Sequence, residues 1–194
     1  GGITTLHIDI MDGHYVPNLC LNLDLINSIK QRFPSLSVEA HLMVTNPSYY
    51  IDELAQLGID SVTIHLDSTS FAYRMLYNIK NKGMKAGIAI NPAQTIMLVD
   101  PVVDIADLVL LMSVEPGYTG QKFIAVTYNK INMLMQIKRK RKLNFLTYID
   151  GGIDLENGKK CAELGANCLV LGVFSIFNQS MGITDASRNF ISRF

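Results

Sequence analysis

The 194-residue sequence has no tryptophan and only three cysteines, Cys20, Cys161 and Cys168. An odd, widely spaced set without a C-x-x-C pair excludes a zinc ribbon and a disulfide framework, and fits a reduced, cytoplasmic compartment. Charge of either sign is in no excess: Lys and Arg together number 17, and so do Asp and Glu. Without a broad basic field nothing holds nucleic acid or an anionic membrane surface, and a small ligand is the expected partner. No apolar run reaches the roughly 18–20 residues that span a bilayer, and the N-terminus lacks the basic start and long apolar stretch of a signal peptide. Low-complexity tracts and long linkers are missing as well, so residues 1–194 are expected to form a single domain.

What is present is alternation. Short apolar or β-branched runs, read as strands at Thr5–Ile10, Ser37–Met43, Ser61–His65, Lys85–Ile90, Leu108–Met112, Phe145–Asp150 and Cys168–Gly172, are separated by segments of helical pattern. Leu25, Ile26, Ile29 and Phe33 line one helical face before Pro34; Asn46 caps a second helix with Pro47 at its first position, and Gly58 ends it. A similar helix follows Asp154 and stops at Gly165. Ala55-Gln56-Leu57-Gly58-Ile59-Asp60 and Ala162-Glu163-Leu164-Gly165-Ala166-Asn167 echo each other, each running helix, glycine, strand. Repetition of this kind predicts an α/β protein with helices wrapped on a parallel sheet, either a (β/α)8-type barrel or an open doubly wound sheet. Seven strands fit a barrel that lacks one. The chain opens almost directly on a strand, so a first βα unit is expected to be absent.

Polar residues fall where a barrel would use them. His7 and Asp9 alternate on the first strand and so share a face; His41 and Asp150 end later strands. Two imidazoles and two carboxylates on one rim suit a divalent cation such as zinc, iron, manganese or cobalt. Taken singly, each reads more readily as a hydrogen-bonded core histidine or a turn-forming aspartate. Together they argue for a site, because ionisable groups aimed into a barrel mouth need partners to offset desolvation. Glycines mark the late loops: Pro116-Gly117-Tyr118-Thr119-Gly120, Gly151-Gly152 and Gly172, with a short helix from about Phe174. Such loops can cradle phosphate through backbone N–H groups.

The segment His7-Ile8-Asp9-Ile10-Met11-Asp12-Gly13-His14-Tyr15-Val16-Pro17-Asn18 resembles a signature of the ribulose-phosphate 3-epimerase family. Ala40-His41-Leu42-Met43-Val44, Asn91-Pro92, Glu115-Pro116-Gly117-Tyr118-Thr119-Gly120-Gln121-Lys122-Phe123 and Ile149-Asp150-Gly151-Gly152 resemble further blocks in the same order. The resemblance implies a TIM barrel that is usually homo-oligomeric. It also implies one divalent metal on His7, Asp9, His41 and Asp150, with Asp9 and Asp150 as acid and base, acting on a phosphorylated ketose. Met11, Met43 and Met112 would be thioethers lining the site, although core packing explains them equally well. Phosphate would lie against Gly117, Gly120, Gly151, Gly152, Gly172 and Val173. His14 reads as a loop residue and His65 as a supporting or structural one. The basic run Lys138–Lys142 suits a helix C-terminus.

The sequence departs from that pattern in places. Beyond the absent first strand, Tyr148 stands where the family usually has an acidic residue. Val173-Phe174-Ser175-Ile176-Phe177 is one residue longer than the usual segment, and Leu19-Cys20-Leu21 also differs. The last two features resemble the allulose-6-phosphate 3-epimerase branch. The expected activity is therefore D-ribulose 5-phosphate to D-xylulose 5-phosphate, with D-allulose 6-phosphate to D-fructose 6-phosphate as the alternative. A non-catalytic phosphosugar-binding paralogue is the reading from another class. The related decarboxylase and hexulose-phosphate synthase group carries Asp-x-Lys-x-x-Asp on a strand; Asp9-Ile10-Met11-Asp12 has no such lysine.

Overall fold

The computed structural model describes residues 1–194. Its strands are β1 (Thr5–Asp12), β2 (Leu19–Cys20), β3 (Ser37–Met43), β4 (Ser61–His65), β5 (Lys85–Ile90), β6 (Leu108–Met112), β7 (Leu146–Asp150) and β8 (Cys168–Val170). The helices are α1 (Leu23–Arg32), α2 (Ser48–Gln56), α3 (Ala72–Asn81), α4 (Val126–Arg141), α5 (Leu155–Glu163) and α6 (Ile183–Ile191). All seven expected strands are present, and they pair in parallel in the order β1-β3-β4-β5-β6-β7-β8. The short β2 was not anticipated; it pairs antiparallel with the end of β1, Met11 opposite Cys20. No helix is long and apolar enough to cross a membrane.

Period-two alternation divides the strand side chains between two environments. On the helix side, Ile8, Ile10, Val38, Leu42, Val62, Ile64 and Ile88 pack with Ile26, Ile51, Leu54, Leu76 and Ile79 from α1, α2 and α3. Val109, Leu111 and Ile149 pack with Ile131 and Leu134 of α4 and Cys161 of α5. The inward side is smaller and mixed. Ala89, Leu108, Leu110 and Met112 form an apolar cluster, while Glu39, His41, Thr63 and His65 are buried polar residues. Space there is tight: a Cβ on Gly87 would lie 2.3 Å from Thr63 Oγ1 and 2.6 Å from Leu108 Cδ1.

The echo seen in the sequence has a structural cause, and a third unit shares it. Asp60, just before β4, accepts the Val38 N–H of β3 at 2.8 Å. Asp107, just before β6, accepts the Ala86 N–H of β5 at 2.8 Å. Asn167, just before β8, accepts the Thr147 N–H of β7 at 2.9 Å. Each side-chain oxygen staples the start of one strand to the second residue of the preceding one. Lys30 and Lys80 add ion pairs to Asp60 and Asp107 at 3.0 and 2.7 Å.

Two expectations for the helices are corrected. The buried stripe of α1 runs through Leu23, Ile26 and Ile29, spaced by three; Leu25 and Phe33 lie off it and are each 51% exposed. Phe33 has already left helical geometry at φ −133° and packs beneath the Arg32 guanidinium instead. Asn46 makes no side-chain cap to α2, because its Oδ1 accepts from Ser48 Oγ at 2.5 Å. The glycine stops stand, with Gly58 and Gly165 at φ +71° and +111°, and α5 starts on a reciprocal Asp154/Asn157 capping box.

β8 and β1 do not pair. The sheet curls as a barrel does but keeps two free edges, and between them lies a cleft of about 300 Å³ lined by Thr5, His7, Glu39, Tyr148, Cys168 and Val170.

Candidate active site

Strand register brings the polar residues level. β1 pairs with β3 so that Asp9 sits beside His41 and Met11 beside Met43, and β6 pairs with β7 so that Met112 sits beside Asp150. His41 Nδ1 lies 3.0 Å from Asp9 Oδ1, and His7 Nε2 lies 3.3 Å from the same oxygen. Asp150 Oδ2 is 3.8 Å from both nitrogens. One donor atom from each of His7, Asp9, His41 and Asp150 thus falls within 4.8 Å of the others. The four candidate ligands, from β1, β3 and β7, form one cluster.

Behind His7 stands a residue that the sequence reading missed. Glu39, 1% exposed, places Oε2 2.9 Å from His7 Nδ1, and its Oε1 accepts the Thr63 hydroxyl at 2.6 Å. A carboxylate at Nδ1 fixes the proton there and turns an unprotonated Nε2 toward the cluster. That nitrogen is buried without a hydrogen-bond partner. Lone pairs facing carboxylate oxygens repel unless a positive charge lies among them, and two imidazole nitrogens with two carboxylates are a common donor set for a divalent transition metal. The residues present fit such an ion.

Burial works against every charge here, and the neighbours decide the outcome. For Asp9 burial alone would raise the pKa, but the two histidines beside it, His41 and His7, outweigh burial and hold the carboxyl well below its usual range. Asp150 goes the other way: burial, aided by the charge of Asp9, raises it despite both histidines. In the ion-free cluster His7 is raised because Glu39 and Asp9 outweigh its burial, so its Nε2 draws a proton to the place a cation would take. Without an ion in the cluster, the two aspartates are thus shifted in opposite directions.

Above the cluster lies a cavity of about 290 Å³. Met11, Met43 and Met112 line it together with His7, Asp9 and Asp150, and its far wall is Gly117, Gly120, Gly151, Gly152, Gly172 and Val173. His41 is fully buried beneath. Gly151 and Gly152 adopt φ +116° and +63°, and a Cβ on Gly152 would lie 2.7 Å from Phe123 N, so the loop after β6 rests directly on this turn. Asn157 Nδ2 donates to the Gly152 carbonyl at 2.9 Å and Ser113 Oγ to that of Gly151 at 2.6 Å, locking the turn. The positions beside Gly120 and Gly172 open into free space. Gly172 N–H is already taken by Ser175 Oγ at 2.9 Å, so this glycine supplies room to the cradle more than a donor. A single π-helical turn, Val173–Phe177, follows it. His14 is exposed and bonds its own loop at Asp12, whereas His65 is buried against His41.

An α/β barrel sheet with an N/O-donor cluster beneath a glycine-walled cavity defines a TIM-barrel-type enzyme. Among solved structures the fold matches 3-hexulose-6-phosphate synthase from Salmonella typhimurium, with a TM-score of 0.69 at 17% identity over 98% of this chain and 99% of that one. It also matches a tryptophan synthase α-subunit from Pyrococcus furiosus, with a TM-score of 0.63 at 15% identity over 88% of this chain and 69% of that one. At these identities the likeness is one of fold. Sequence comparison is more specific: residues 1–177 match the ribulose-phosphate 3 epimerase family. The chain is 37% identical over 172 residues to the ribulose-phosphate 3-epimerase of Aquifex aeolicus, covering 89% of this chain and 77% of that protein. It is 36% identical over 181 residues to that of Bacillus subtilis, covering 93% and 82%. The chain belongs to the ribulose-phosphate 3-epimerase family and is an isomerase.

Proposed function

We propose that this chain inverts C3 of D-ribulose 5-phosphate to give D-xylulose 5-phosphate, that Asp9 and Asp150 transfer the protons, and that His7, Asp9, His41 and Asp150 hold one zinc, iron, manganese or cobalt ion. The observation that carries this reading is the convergence of four donor atoms within 4.8 Å at the floor of a cavity walled by glycine loops.

The chemistry follows from the acidity of a proton next to a ketone. One carboxylate removes the C3 proton to give an enediolate, and a second carboxyl on the opposite face returns a proton with inverted configuration. Asp9 on β1 and Asp150 on β7 take the two roles, and the roles exchange in the reverse direction. A divalent cation at the four ligands supplies Lewis-acid stabilisation for the negative charge that develops on the substrate oxygens. Met11, Met43 and Met112 offer a polarisable apolar lining that keeps water from the reacting carbon. The Gly117–Gly120 and Gly151–Gly152 loops, with Val173, receive the phosphate.

A second reading, D-allulose 6-phosphate to D-fructose 6-phosphate, rests on the longer Val173–Phe177 segment, which forms a π-type turn at the phosphate end of the cavity. The two sugars differ only in the length between reacting carbon and phosphate. Incubating metal-reconstituted protein with each sugar in deuterated water, and following C3 by NMR, tests both readings. Solvent deuterium at C3 together with epimer formation is expected, and the faster sugar identifies the substrate. No exchange of either sugar with any of the four metals would leave a phosphosugar-binding paralogue as the account.

A further inference from the structure

His41 can present its Nδ1 to the cluster only if that nitrogen carries no hydrogen, and nothing in the cluster itself enforces this. Asp9, 3.0 Å away, would equally well accept a hydrogen from it. What decides the matter lies on the other side of the ring. His41 Nε2 is 2.9 Å from His65 Nε2, and the two rings are stacked with centroids 4.9 Å apart. One of these nitrogens donates and the other accepts.

The direction can be traced from a group that has no choice. Asp67 is a carboxylate and only accepts: its Oδ1 takes the Tyr15 hydroxyl at 2.8 Å and its Oδ2 takes Gln94 Nε2 at 2.8 Å. Asn91 turns its amide nitrogen to the same group, 3.3 Å from Asp67 Oδ2 and 2.8 Å from the Tyr15 oxygen. The amide oxygen of Asn91 must then face the other way, toward His65. Asn91 Oδ1 and His65 Nδ1 are each buried without a hydrogen-bond partner, and the two side chains are neighbours, joined through Tyr15, which bonds one and packs on the other. Pairing these two orphaned atoms with each other satisfies both; it puts the hydrogen of a neutral His65 on Nδ1 and makes its Nε2 the acceptor. His41 Nε2 must be the donor.

Other contacts hold this line rigid. Tyr15 packs on the His65 ring, with centroids 4.7 Å apart. Lys130, 6% exposed, reaches from α4 to donate to the Asn91 and Pro92 carbonyls at 2.7 Å each.

We propose that His65 and Asn91 are positioning residues, which pass the fixed polarity of Asp67 inward and hold His41 in the tautomer with hydrogen on Nε2 and a bare Nδ1 aimed at Asp9, Asp150 and His7. The inference rests on the metal-binding reading of that cluster but makes its own claim about the metal-free protein. Glu39 sets His7 directly; the Asp67 line sets His41 at one remove.

Long-range proton–nitrogen NMR of the histidine rings in the metal-free chain, above neutral pH, tests it, alongside zinc(II) affinity measured by competition with a chromophoric chelator. In the unsubstituted protein His41 is expected to carry its hydrogen on Nε2 and His65 on Nδ1. His65→Leu and Asn91→Ala should each populate the other His41 tautomer and weaken zinc binding roughly 10–100-fold. His65→Gln, whose amide oxygen can accept from His41, should restore most of both. A His41 found with hydrogen on Nδ1 in the unsubstituted protein overturns the proposal even if no variant folds. So does zinc affinity unchanged in both His65→Leu and Asn91→Ala. Should the expected tautomers be found in a protein that binds no zinc, the positioning stands and the metal reading falls.

Discussion

At the scale of single residues, the two aspartates and Glu39 make separable predictions. If Asp9 and Asp150 work on opposite faces of the substrate, replacing either by asparagine should lower epimerisation by about 10²–10⁴-fold. The substitutions should differ in what survives. Each ought to keep C3 exchange with solvent from one epimer only, and from a different epimer in Asp9→Asn than in Asp150→Asn. Exchange surviving from the same epimer in both would remove the two-face assignment. Glu39→Gln keeps shape but takes away the charge that fixes the His7 proton on Nδ1. Its expected effect is a loss of zinc affinity of roughly 10–100-fold, read by chelator competition, and an unchanged affinity would mean that Glu39 does not orient His7. Glu39 could have been found in the sequence. A lone carboxylate between Val38 and Ala40, two residues before His41, is anomalous in a strand buried on both faces. His65 was legible as a supporting or structural histidine and Asn91 as part of a family-like block, but how they act was not, because it depends on which way an amide points.

At the scale of elements, the side-chain staples explain why the repeat survives in the sequence. Asp60, Asp107 and Asn167 each satisfy a backbone N–H at the start of a strand. Asp60→Ala should orphan the Val38 N–H and cost about 1–2 kcal/mol, measured by urea unfolding. Asp60→Asn should cost less than half as much, since Asn167 performs the same task without charge and only a half-exposed ion pair to Lys30 is lost. Burial would raise the Asp60 carboxyl, but the Val38 N–H and Lys30 outweigh it and lower its pKa. Its contribution is therefore complete above the ordinary carboxyl value of 3.8 and disappears as pH falls through the lower folded value. The stability gap between the unsubstituted protein and Asp60→Ala should narrow over that acid range by the charge-dependent part alone, less than half of the whole, and a gap independent of pH would sink the electrostatic part of the argument. Strands were legible because apolar runs are punctuated by these Asp and Asn residues and by glycine. Helix faces were less so. Leu25 and Phe33 fit a helical period, yet the curved sheet offers α1 only a narrow contact through Leu23, Ile26 and Ile29. Pairing of β2 was invisible, since two exposed residues, Leu19 and Cys20, carry no periodicity.

At the scale of the whole molecule, the three cysteines report on three depths of the fold. Cys20 is exposed on β2, Cys168 is half-buried beside the cleft between β8 and β1, and Cys161 of α5 is fully buried in the helix-side core. Burial pushes the Cys161 thiol up to about 12, and burial together with the charge of Glu39 raises Cys168. Because the thiolate is the reactive form, burial slows Cys161 and Cys168 both by limiting access and by raising their thiols, whereas exposure leaves Cys20 accessible. Under native, mildly alkaline conditions a thiol reagent should modify Cys20 fastest, Cys168 more slowly, and Cys161 only as fast as the domain opens. Single-cysteine variants followed by mass spectrometry separate the three rates. Rapid modification of Cys161 would mean that α5 is not docked on β6 and β7 as described. Protection of Cys168 to the level of Cys161 would mean that the edges of β1 and β8 are covered in solution, whether by closing on each other or by another segment of polypeptide. Since the same cleft is lined by His7 and Glu39, the Cys168 rate also measures how far solvent reaches the cluster of His7, Asp9, His41 and Asp150 from behind, and zinc, if that cluster binds it as proposed, should slow the rate by tightening β1 against its neighbours.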